Sequence, residues 1–458
     1  MKQLEFSDFP PSTDKKIQAS LSVCRKEGVM AQVMIVITDY YFTPFALFLG
    51  ATSQQIGLLV ALPQLAGSIS QLAAVKAVKL YGSRLRFLIF GVGAQAVGLI
   101  PLALLAFITL PERMGIFIFL AVIYRLLFTL IGPAWGSLVS DYLPENKRGG
   151  YFGTRAQLLG ITGIASVISC GLILTFFKHW NLALGFFLLF AAATGFRFAS
   201  LFYMSKMADL PMKFTPEGHF TLWEFLRRYK ESNFVKFVFF VAGITFTTMI
   251  AAPYFSVLML RDYHFSYFNY MLVQLGGMTV GMISFPIWGR HADVVGNAKI
   301  IKITSLFIPL IPILWLLNRS LIYIIPVEMM SNFAWGGFNL CVTNFIYDAV
   351  SPEKRVRALG YFNLLNGLAI FLGAAIGGFL ADRLPPLWGL PLYSLLLISG
   401  LARLAVVAGF SNQFKEVRKT ARPIRSSELI YSVVGIRPFI GQTRDLGNLS
   451  PIRKEWLK

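Results

Sequence analysis

Long apolar runs, separated by short polar turns, follow one another along most of the chain. A helix needs about 20 predominantly apolar residues to cross the hydrocarbon core of a bilayer, and twelve runs reach that length. Their approximate limits are 28–50, 54–76, 86–109, 115–139, 156–177, 181–204, 234–260, 267–289, 299–317, 320–347, 357–381 and 387–410. The pattern predicts an all-α integral membrane protein with twelve transmembrane helices, six on each side of a long polar stretch.

Polar stretches at both ends and in the middle divide the chain further. The first has no short apolar segment followed by a small-residue cleavage site, so we do not expect a signal peptide. The predicted domains are a cytoplasmic N-terminal segment at 1–27, a six-helix bundle at 28–205, a cytoplasmic linker at 206–233, a second six-helix bundle at 234–410 and a basic cytoplasmic tail at 411–458.

One charged sequence occurs twice. The stretch DYLPENKRGGYF starts at Asp141, and DAVSPEKRVRALGYF starts at Asp348, 207 residues later. Each contains Pro-Glu before a Lys-Arg pair, whose arginines are Arg148 and Arg355. Because the two copies follow the fourth and the tenth apolar run, the repeat predicts two homologous, pseudo-symmetric six-helix halves that lie in the same orientation in the membrane.

Composition and charge agree with a membrane protein. The chain is 56% hydrophobic and 14% charged, with a mean hydropathy of +0.63, whereas soluble domains are about 25% charged. The formal net charge of +20 does not require a nucleic-acid partner, since cytoplasmic loops of membrane proteins are rich in Lys and Arg. With twelve spans, both termini lie on the same side of the membrane. Of the 42 Lys and Arg, 36 lie on that side and five lie in the loops on the other side. We therefore expect both termini in the cytoplasm.

The turns after the second and eighth runs resemble the signature of the major facilitator superfamily, G-x-x-x-D-x-x-G followed by basic residues. After the eighth run, GRHADVVGNAK supplies Gly289, Asp293 and Gly296, with Asn297 in place of a basic residue. After the second run, Lys79 stands where the aspartate belongs. Together with the 6+6 arrangement, the resemblance covers about residues 20–410 and implies the fold of that family.

The charged turns are candidates for cytoplasmic gating. A carboxylate at the cytoplasmic end of a helix can pair with a neighbouring basic side chain, and such pairs bias a two-state equilibrium although each is worth only about 0–1 kcal/mol at a surface. The alternative is that the basic residues serve only topology. The gating candidates are Asp141, Arg148, Gly289, Asp293, Gly296, Asp348 and Arg355.

Three ionisable residues lie well within predicted spans: Asp39 in the first, Arg125 in the fourth and Glu328 in the tenth. An Asp or Arg at a helix centre costs about 2.5–3.5 kcal/mol and usually faces a bundle interior or a wet cavity. The resemblance implies that these spans line a central cavity. We expect Asp39 to contact Arg125 in at least one conformational state, either as a coupling element or as a permanent structural pair.

Polar residues near these charges complete the candidate cavity. Glu328, Asn332, Trp335 and Asn339 are spaced 4, 3 and 4 apart and share one helical face. The asparagines have the alternative role of hydrogen bonding between helices. The substrate or coupling-ion candidates are Asp39, Tyr40, Gln64, Arg125, Glu328, Asn332 and Asn339.

Motifs of catalysis are not seen in the sequence. It has no Walker A sequence, no GxSxG elbow and no HExxH pair. The three cysteines are far apart and form no metal-ligand spacing. We expect neither an enzyme nor a cofactor or metal.

The resemblance implies a secondary transporter of the inner membrane. The expected function is alternating-access transport of a small organic solute, coupled to protons, as symport or efflux. The expected partners are the solute, protons and the lipid bilayer, with no nucleic acid, and the protein is expected to be a monomer. Two alternatives stay open: a lipid transporter, and a non-transporting sensor or assembly factor whose tail stretch ELIYSVVGIRPFIGQ is an interaction surface.

Overall fold

A computed structural model describes residues 11–210, 221–418 and 426–433. Helices make up most of these ranges. The main helices are α1 Pro11–Phe48, α2 Ser53–Tyr81, α3 Arg84–Leu104, α4 Arg113–Asp141, α5 Glu145–Phe177, α6 Leu182–Met204, α7 Asn233–Met249, α8 Tyr267–Val295, α9 Asn297–Phe307, α10 Leu321–Ala349, α11 Pro352–Ala381 and α12 Pro391–Phe410. Short helices lie at Leu222–Arg227 in the linker and at Ser426–Val433 in the tail.

Two of the predicted spans are broken by proline. The α7 span continues beyond Met249 as a 3₁₀ turn at Ala252–Tyr254, a helical turn at Phe255–Val257 and a π turn at Leu258–Asp262. The α9 span continues after Pro309 as Leu310–Leu314. Proline lacks the backbone N–H and its ring clashes with the preceding turn, which explains why each span is helical but not one regular α-helix.

Ten of the predicted spans are helical stretches long and apolar enough to cross a membrane in the described part of the chain. The other two predicted spans coincide with α2 and α10, each 29 residues long, or about 43 Å at 1.5 Å per residue. The chain is therefore a multi-pass membrane protein, and the number twelve stays a prediction.

The first helix begins well before the predicted span. Although 1–27 was expected to be a polar segment, α1 starts at Pro11. Ile17, Leu21 and Cys24 are spaced as one helical face and are buried in a core with Leu138 and Tyr142. This amphipathic extension is too polar to resemble a transmembrane run, and its apolar face packs into a core that α3 and α4 share.

The described helices group into two units. The first holds 11–210, 248–275 and 362–395, and the second holds 221–247, 276–361, 396–418 and 426–433. In the first unit, α1–α6 are packed with the end of the α7 span, the start of α8 and most of α11. The second unit contains most of α7, α8 and α12, all of α9 and α10, and the described part of the tail.

Within the first unit, elements from both sequence halves meet at the end that carries the α1–α2 turn. This end is called here the outer end because the distribution of Lys and Arg predicts that it faces away from the cytoplasm. Tyr254 donates a hydrogen bond from its hydroxyl to the carbonyl of Ser53, at 3.0 Å. A Cβ atom at Gly57 would lie 2.7 Å from the carbonyl oxygen of Ala374 and 2.8 Å from Cα of Gly378. Only glycine permits this approach of α2 to α11.

Large apolar side chains remain exposed on the helices. Phe119 is 62% exposed, Ile161 63%, Phe176 68% and Ile322 85%. Contiguous apolar surface is unfavourable in water, whereas a hydrocarbon environment removes that cost. The exposed side chains therefore agree with helices that face lipid.

Candidate functional site

Asp39 lies on α1 between two residues that hold helices together. The residue is exposed, and in the described part of the chain its carboxylate accepts no hydrogen bond. The hydroxyl groups of Thr38 and Tyr124 lie 3.0 Å apart and share a hydrogen bond between α1 and α4. The carbonyl of Tyr40 accepts a hydrogen bond from the hydroxyl of Tyr270 on α8, at 2.8 Å. Asp39 thus carries an exposed charge between two residues whose hydrogen bonds link α1 to α4 and to α8.

Arg125 extends from α4 to α2 rather than to α1. Its Nε and Nη2 donate to Oε1 of Gln64, at 3.3 and 3.1 Å, and its guanidinium lies 5.6 Å from the ring centre of Phe128. In the described residues Arg125 and Asp39 form no ion pair, although the Arg125 charge is close enough to act on Asp39. The expected direct contact is absent from this conformation and stays a prediction for another state.

Gln64 decides the electrostatics of this part of the site. An amide oxygen accepts hydrogen bonds from a guanidinium but carries no negative charge. The charge of Arg125 is therefore held in place without being neutralised. Because its charge is not neutralised, Arg125 can form an ion pair either with the Asp39 carboxylate or with an anionic group of a solute.

The face predicted on α10 forms a local hydrogen-bonded pair in the second unit. Nδ2 of Asn332 donates to Oε1 of Glu328 at 2.8 Å and to the Glu328 carbonyl at 3.0 Å. A Cβ atom at Gly277 on α8 would lie 3.1 Å from Cγ of each of these residues. Asn339 is exposed, two turns further along the helix. A hydrogen bond therefore links Glu328 and Asn332, whereas Asn339 is exposed.

Asp141 has a basic partner on the neighbouring helix. Nη1 of Arg84, at the start of α3, lies 2.7 Å from Oδ2 of Asp141 and also donates to Oγ of Ser137 at 2.7 Å. Nη2 of Arg84 donates to the carbonyl of Leu210 at 3.1 Å. The Arg84 side chain is 1% exposed and that of Asp141 42%. This pair joins the start of α3 to the end of α4, next to the first of the two charged turns.

Asp348 and Asp293 share an arginine that the sequence did not suggest as their partner. Nε of Arg418, in the tail, lies 2.7 Å from Oδ2 of Asp348, and its Nη1 lies 3.6 Å from Oδ1 of Asp293. Nδ2 of the buried Asn297 also donates to Asp348, at 2.7 Å. In addition, Oε2 of Glu416 accepts from the backbone N–H of Ala298 at 2.7 Å. The tail therefore holds the α8–α9 turn.

We expect Arg418→Gln to loosen this turn. Partly exposed ion pairs contribute up to about 1 kcal/mol, so amide hydrogen exchange at the start of α9 should become up to about fivefold faster. Arg383→Gln removes an exposed arginine that caps the carbonyl of Phe379 and serves as the matched control, with no change at α9. Equal exchange at α9 in wild type and Arg418→Gln would contradict the role of this ion pair.

The arginines of the repeated sequence cap helices. Nε of Arg148 donates to the carbonyls of Ser140 and Leu143, both at 3.2 Å. Nη2 of Arg355 donates to the carbonyls of Tyr347 and Val350, at 3.1 and 3.4 Å. Each position in the second set is 207 residues after its equivalent in the first. The two turns thus have the same structure, in which a cation satisfies the last carbonyls of a helix.

The two glycines of the signature lie on and after α8. Gly289 is within the helix and faces Leu340, whose Cδ2 would be 3.7 Å from an added Cβ atom. Gly296 has a φ of 89° and separates α8 from α9. Its left-handed conformation permits the sharp turn that brings Asn297 to Asp348.

Four further charged residues with low exposure lie inside the helices and are not among those that the sequence suggested: Glu27, Arg155, Arg197 and Arg403. Glu27 and Arg155 each lie one position before a predicted span. Arg197 and Arg403 are 3% and 1% exposed and lie 206 residues apart, each seven residues before the end of a predicted span. That matching spacing in the two halves was the signal that could have identified the second pair.

Metal binding has no support in the described part of the chain. No group of three or more His, Cys, Asp or Glu residues there is arranged to hold a metal ion. Cys24, Cys170 and Cys341 are buried free thiols.

The sequence matches a known protein family. The family model described as Major Facilitator Superfamily matches residues 29–374. The uncharacterized MFS-type transporter YfiU of Bacillus subtilis (strain 168) is 30% identical over 105 residues, which are 23% of this chain and 20% of that protein. Multidrug resistance protein 1 of the same organism is 31% identical over 107 residues, 23% of this chain and 28% of that protein. The chain thus matches less than a third of each relative.

Solved structures share the fold. A mutant form of the nucleoside transporter NupG superimposes with a TM-score of 0.69 at 13% identity, covering 86% of this chain and 100% of that one. A bacterial homolog of the human lysosomal transporter Spinster, in an inward-facing and unoccupied conformation, gives a TM-score of 0.59 at 14% identity, covering 90% of this chain and 100% of that one. At these identities the likeness concerns the fold alone.

Proposed function

Because the chain belongs to the Major Facilitator Superfamily, we propose that it is a membrane transporter that moves a small organic solute by alternating access, with protons as the coupling ion. We place it in the inner membrane as a monomer with both termini in the cytoplasm, in agreement with the distribution of Lys and Arg. The names of the matched relatives, an MFS-type transporter and a multidrug resistance protein, support transport rather than catalysis.

The observation that carries the proposal is the state of Arg125. Its charge is held by the neutral Gln64, while the carboxylate of Asp39 is open nearby. A charge within a membrane span is costly and therefore rare unless it has a function. In the proposed cycle, Asp39 pairs with Arg125 when ionised, and a proton on Asp39 releases Arg125 to an anionic group of the solute.

The outer-end contacts supply a physical link between this charge and the conformational change. Tyr270 donates to the carbonyl of Tyr40, which directly follows Asp39 in α1. A change in the position of α1 at Asp39 therefore acts on a hydrogen bond that holds α8 against it. The ion pairs of Asp141, Asp293 and Asp348 are proposed to bias the other end in the same cycle. Glu328, Asn332 and Asn339 stay candidates for solute binding.

The non-transporting alternative would use the tail as an interaction surface. Of the stretch ELIYSVVGIRPFIGQ, residues 428–433 are described, and Leu429 and Ser432 are buried there. Ser432 shares a hydrogen bond of 3.1 Å with Nε2 of His291 on α8. This part of the tail is engaged within the chain itself, so we retain the transporter as the proposed function.

A direct test begins with a solute library in a thermal-shift screen, because a ligand that binds the native state raises the unfolding temperature. The selected solute is then offered to proteoliposomes with an imposed pH gradient. We expect accumulation above the equilibrium level, which a protonophore should abolish. Binding without any flux would support the non-transporting alternative, and flux of equal size without the gradient would remove proton coupling.

A further inference from the structure

A second group of buried charges lies in the first unit, apart from Asp39 and Arg125. Arg155 on α5 and Arg197 on α6 accompany one carboxylate, Glu27 on α1. Oε2 of Glu27 lies 3.7 Å from Nη2 of Arg155, and its Oε1 accepts from Oγ of Ser200 at 3.0 Å. The exposed side-chain fractions of Glu27 and Arg155 are 4% and 15%. Two positive charges and one negative charge leave this group with an excess of one positive charge.

The two arginines have donors that the surrounding helices do not satisfy. Arg197 donates from Nη1 to Ser200 at 3.2 Å and from Nη2 to Oε1 of Gln95, while its Nε is buried without an acceptor. Nε of Arg155 is also buried without an acceptor. The 3.7 Å separation of Arg155 from Glu27 is longer than a hydrogen bond. Unsatisfied buried donors on charged groups are costly, so their retention points to a ligand that accepts from them.

These residues line a cavity of about 250 Å³. Its other walls are mainly apolar and include Phe128, Ile131 and Trp135 of α4 and Leu159 of α5. The Arg155 guanidinium lies 4.4 Å from the ring centre of Trp135, which keeps the cation at the cavity wall. An apolar chamber with a few convergent polar groups is the usual form of a small-molecule site.

The absence of a side chain at Gly28 allows the Arg155 guanidinium to lie against α1 at the cavity wall. A Cβ atom there would collide with Nη2 of Arg155 and would lie 2.9 Å from its Cζ. The guanidinium therefore lies flat against α1. A side chain at this position would displace the arginine without disturbing backbone packing, because the contact is with the end of a flexible side chain.

We propose that this cavity binds a small organic carboxylate with an aromatic or aliphatic body. The single excess positive charge matches a monoanion. The planar carboxylate matches the paired donors of a guanidinium, and the apolar walls match the body of the ligand. Arg155 is the primary anion contact and Arg197 the second. Glu27 lies 3.7 Å from Arg155 and is joined to Arg197 through Ser200.

The test is equilibrium binding to the purified full-length protein in detergent, with naphthoate as the probe and the neutral, isosteric naphthamide as its control. Unfolding is followed with a thiol-reactive dye, since the three cysteines are buried and free. We expect naphthoate to raise the unfolding temperature in a saturable manner and naphthamide to have no effect. No stabilisation by naphthoate, or equal stabilisation by naphthamide, would overturn the proposal.

Four variants locate the binding. Arg155→Gln and Gly28→Ala should each weaken naphthoate binding at least tenfold, and Gly28→Ala does so without removing a charge. Arg383→Gln, which removes an exposed arginine away from the cavity, should bind as wild type does. If Arg125→Gln loses binding while Arg155→Gln retains it, the anion binds beside Gln64 and the cavity is not its site. Because this assay measures binding alone, its outcome is independent of whether the protein transports a solute.

Discussion

Asp39→Asn is expected to abolish proton-driven accumulation of the solute while solute exchange across the membrane stays partly intact. An amide at this position cannot take up or release a proton, so a pH gradient no longer acts on the transporter. Arg125 remains available to the solute through all steps, because its charge is held by the neutral Gln64. Accumulation and counterflow in proteoliposomes distinguish these two activities.

The matched control is Asp382→Asn, which removes an exposed carboxylate and should leave both activities unchanged. The double variant Asp39→Asn with Arg125→Gln separates coupling from structure. If the two residues serve only as a structural pair, the double variant should recover both stability and transport, since no unpaired charge is left. Full proton-driven uptake by the double variant would therefore refute the coupling role of Asp39.

Gly57→Leu is expected to hold the outer end open and to stop transport. In the closed arrangement, an added Cβ atom would lie 2.7 Å from the carbonyl oxygen of Ala374 and 2.8 Å from Cα of Gly378. Both atoms belong to the backbone of α11 and cannot rotate away. Overpacking of such a contact costs about 1–3 kcal/mol, which disfavours the closed arrangement about 5- to 150-fold.

Labelling of a cysteine at position 53 measures this opening. Ser53 is 2% exposed, and its carbonyl accepts the hydrogen bond of Tyr254, so Ser53→Cys should react slowly with a membrane-impermeant maleimide. Adding Gly57→Leu should increase the labelling rate about 5- to 150-fold. Gly98→Leu on α3 is the control, because a Cβ atom there meets no atom within 4 Å. Equally slow labelling in the Gly57→Leu background would show that this contact does not close the outer end.

Much of the fold could be predicted from the sequence because the bilayer imposes a simple rule. Backbone polar groups in hydrocarbon must be satisfied within the segment, so each long apolar run becomes a helix. The repeated charged sequence likewise predicted two equivalent turns, and Arg148 and Arg355 form them with matching carbonyl acceptors. Helix spacing placed Glu328 and Asn332 on one face, where they are hydrogen-bonded.

The sequence by itself placed Asp39, Arg125 and Glu328 within apolar runs, because position in such a run is read directly along the chain. It did not determine the direction in which a side chain points around the helix axis or what meets it there. For that reason only the tertiary structure paired Arg125 with Gln64 and Arg418 with Asp348. It also placed Glu27 and Arg197 in one buried group through Ser200. Such contacts join residues far apart in the chain, and their geometry depends on the packing of several helices at once.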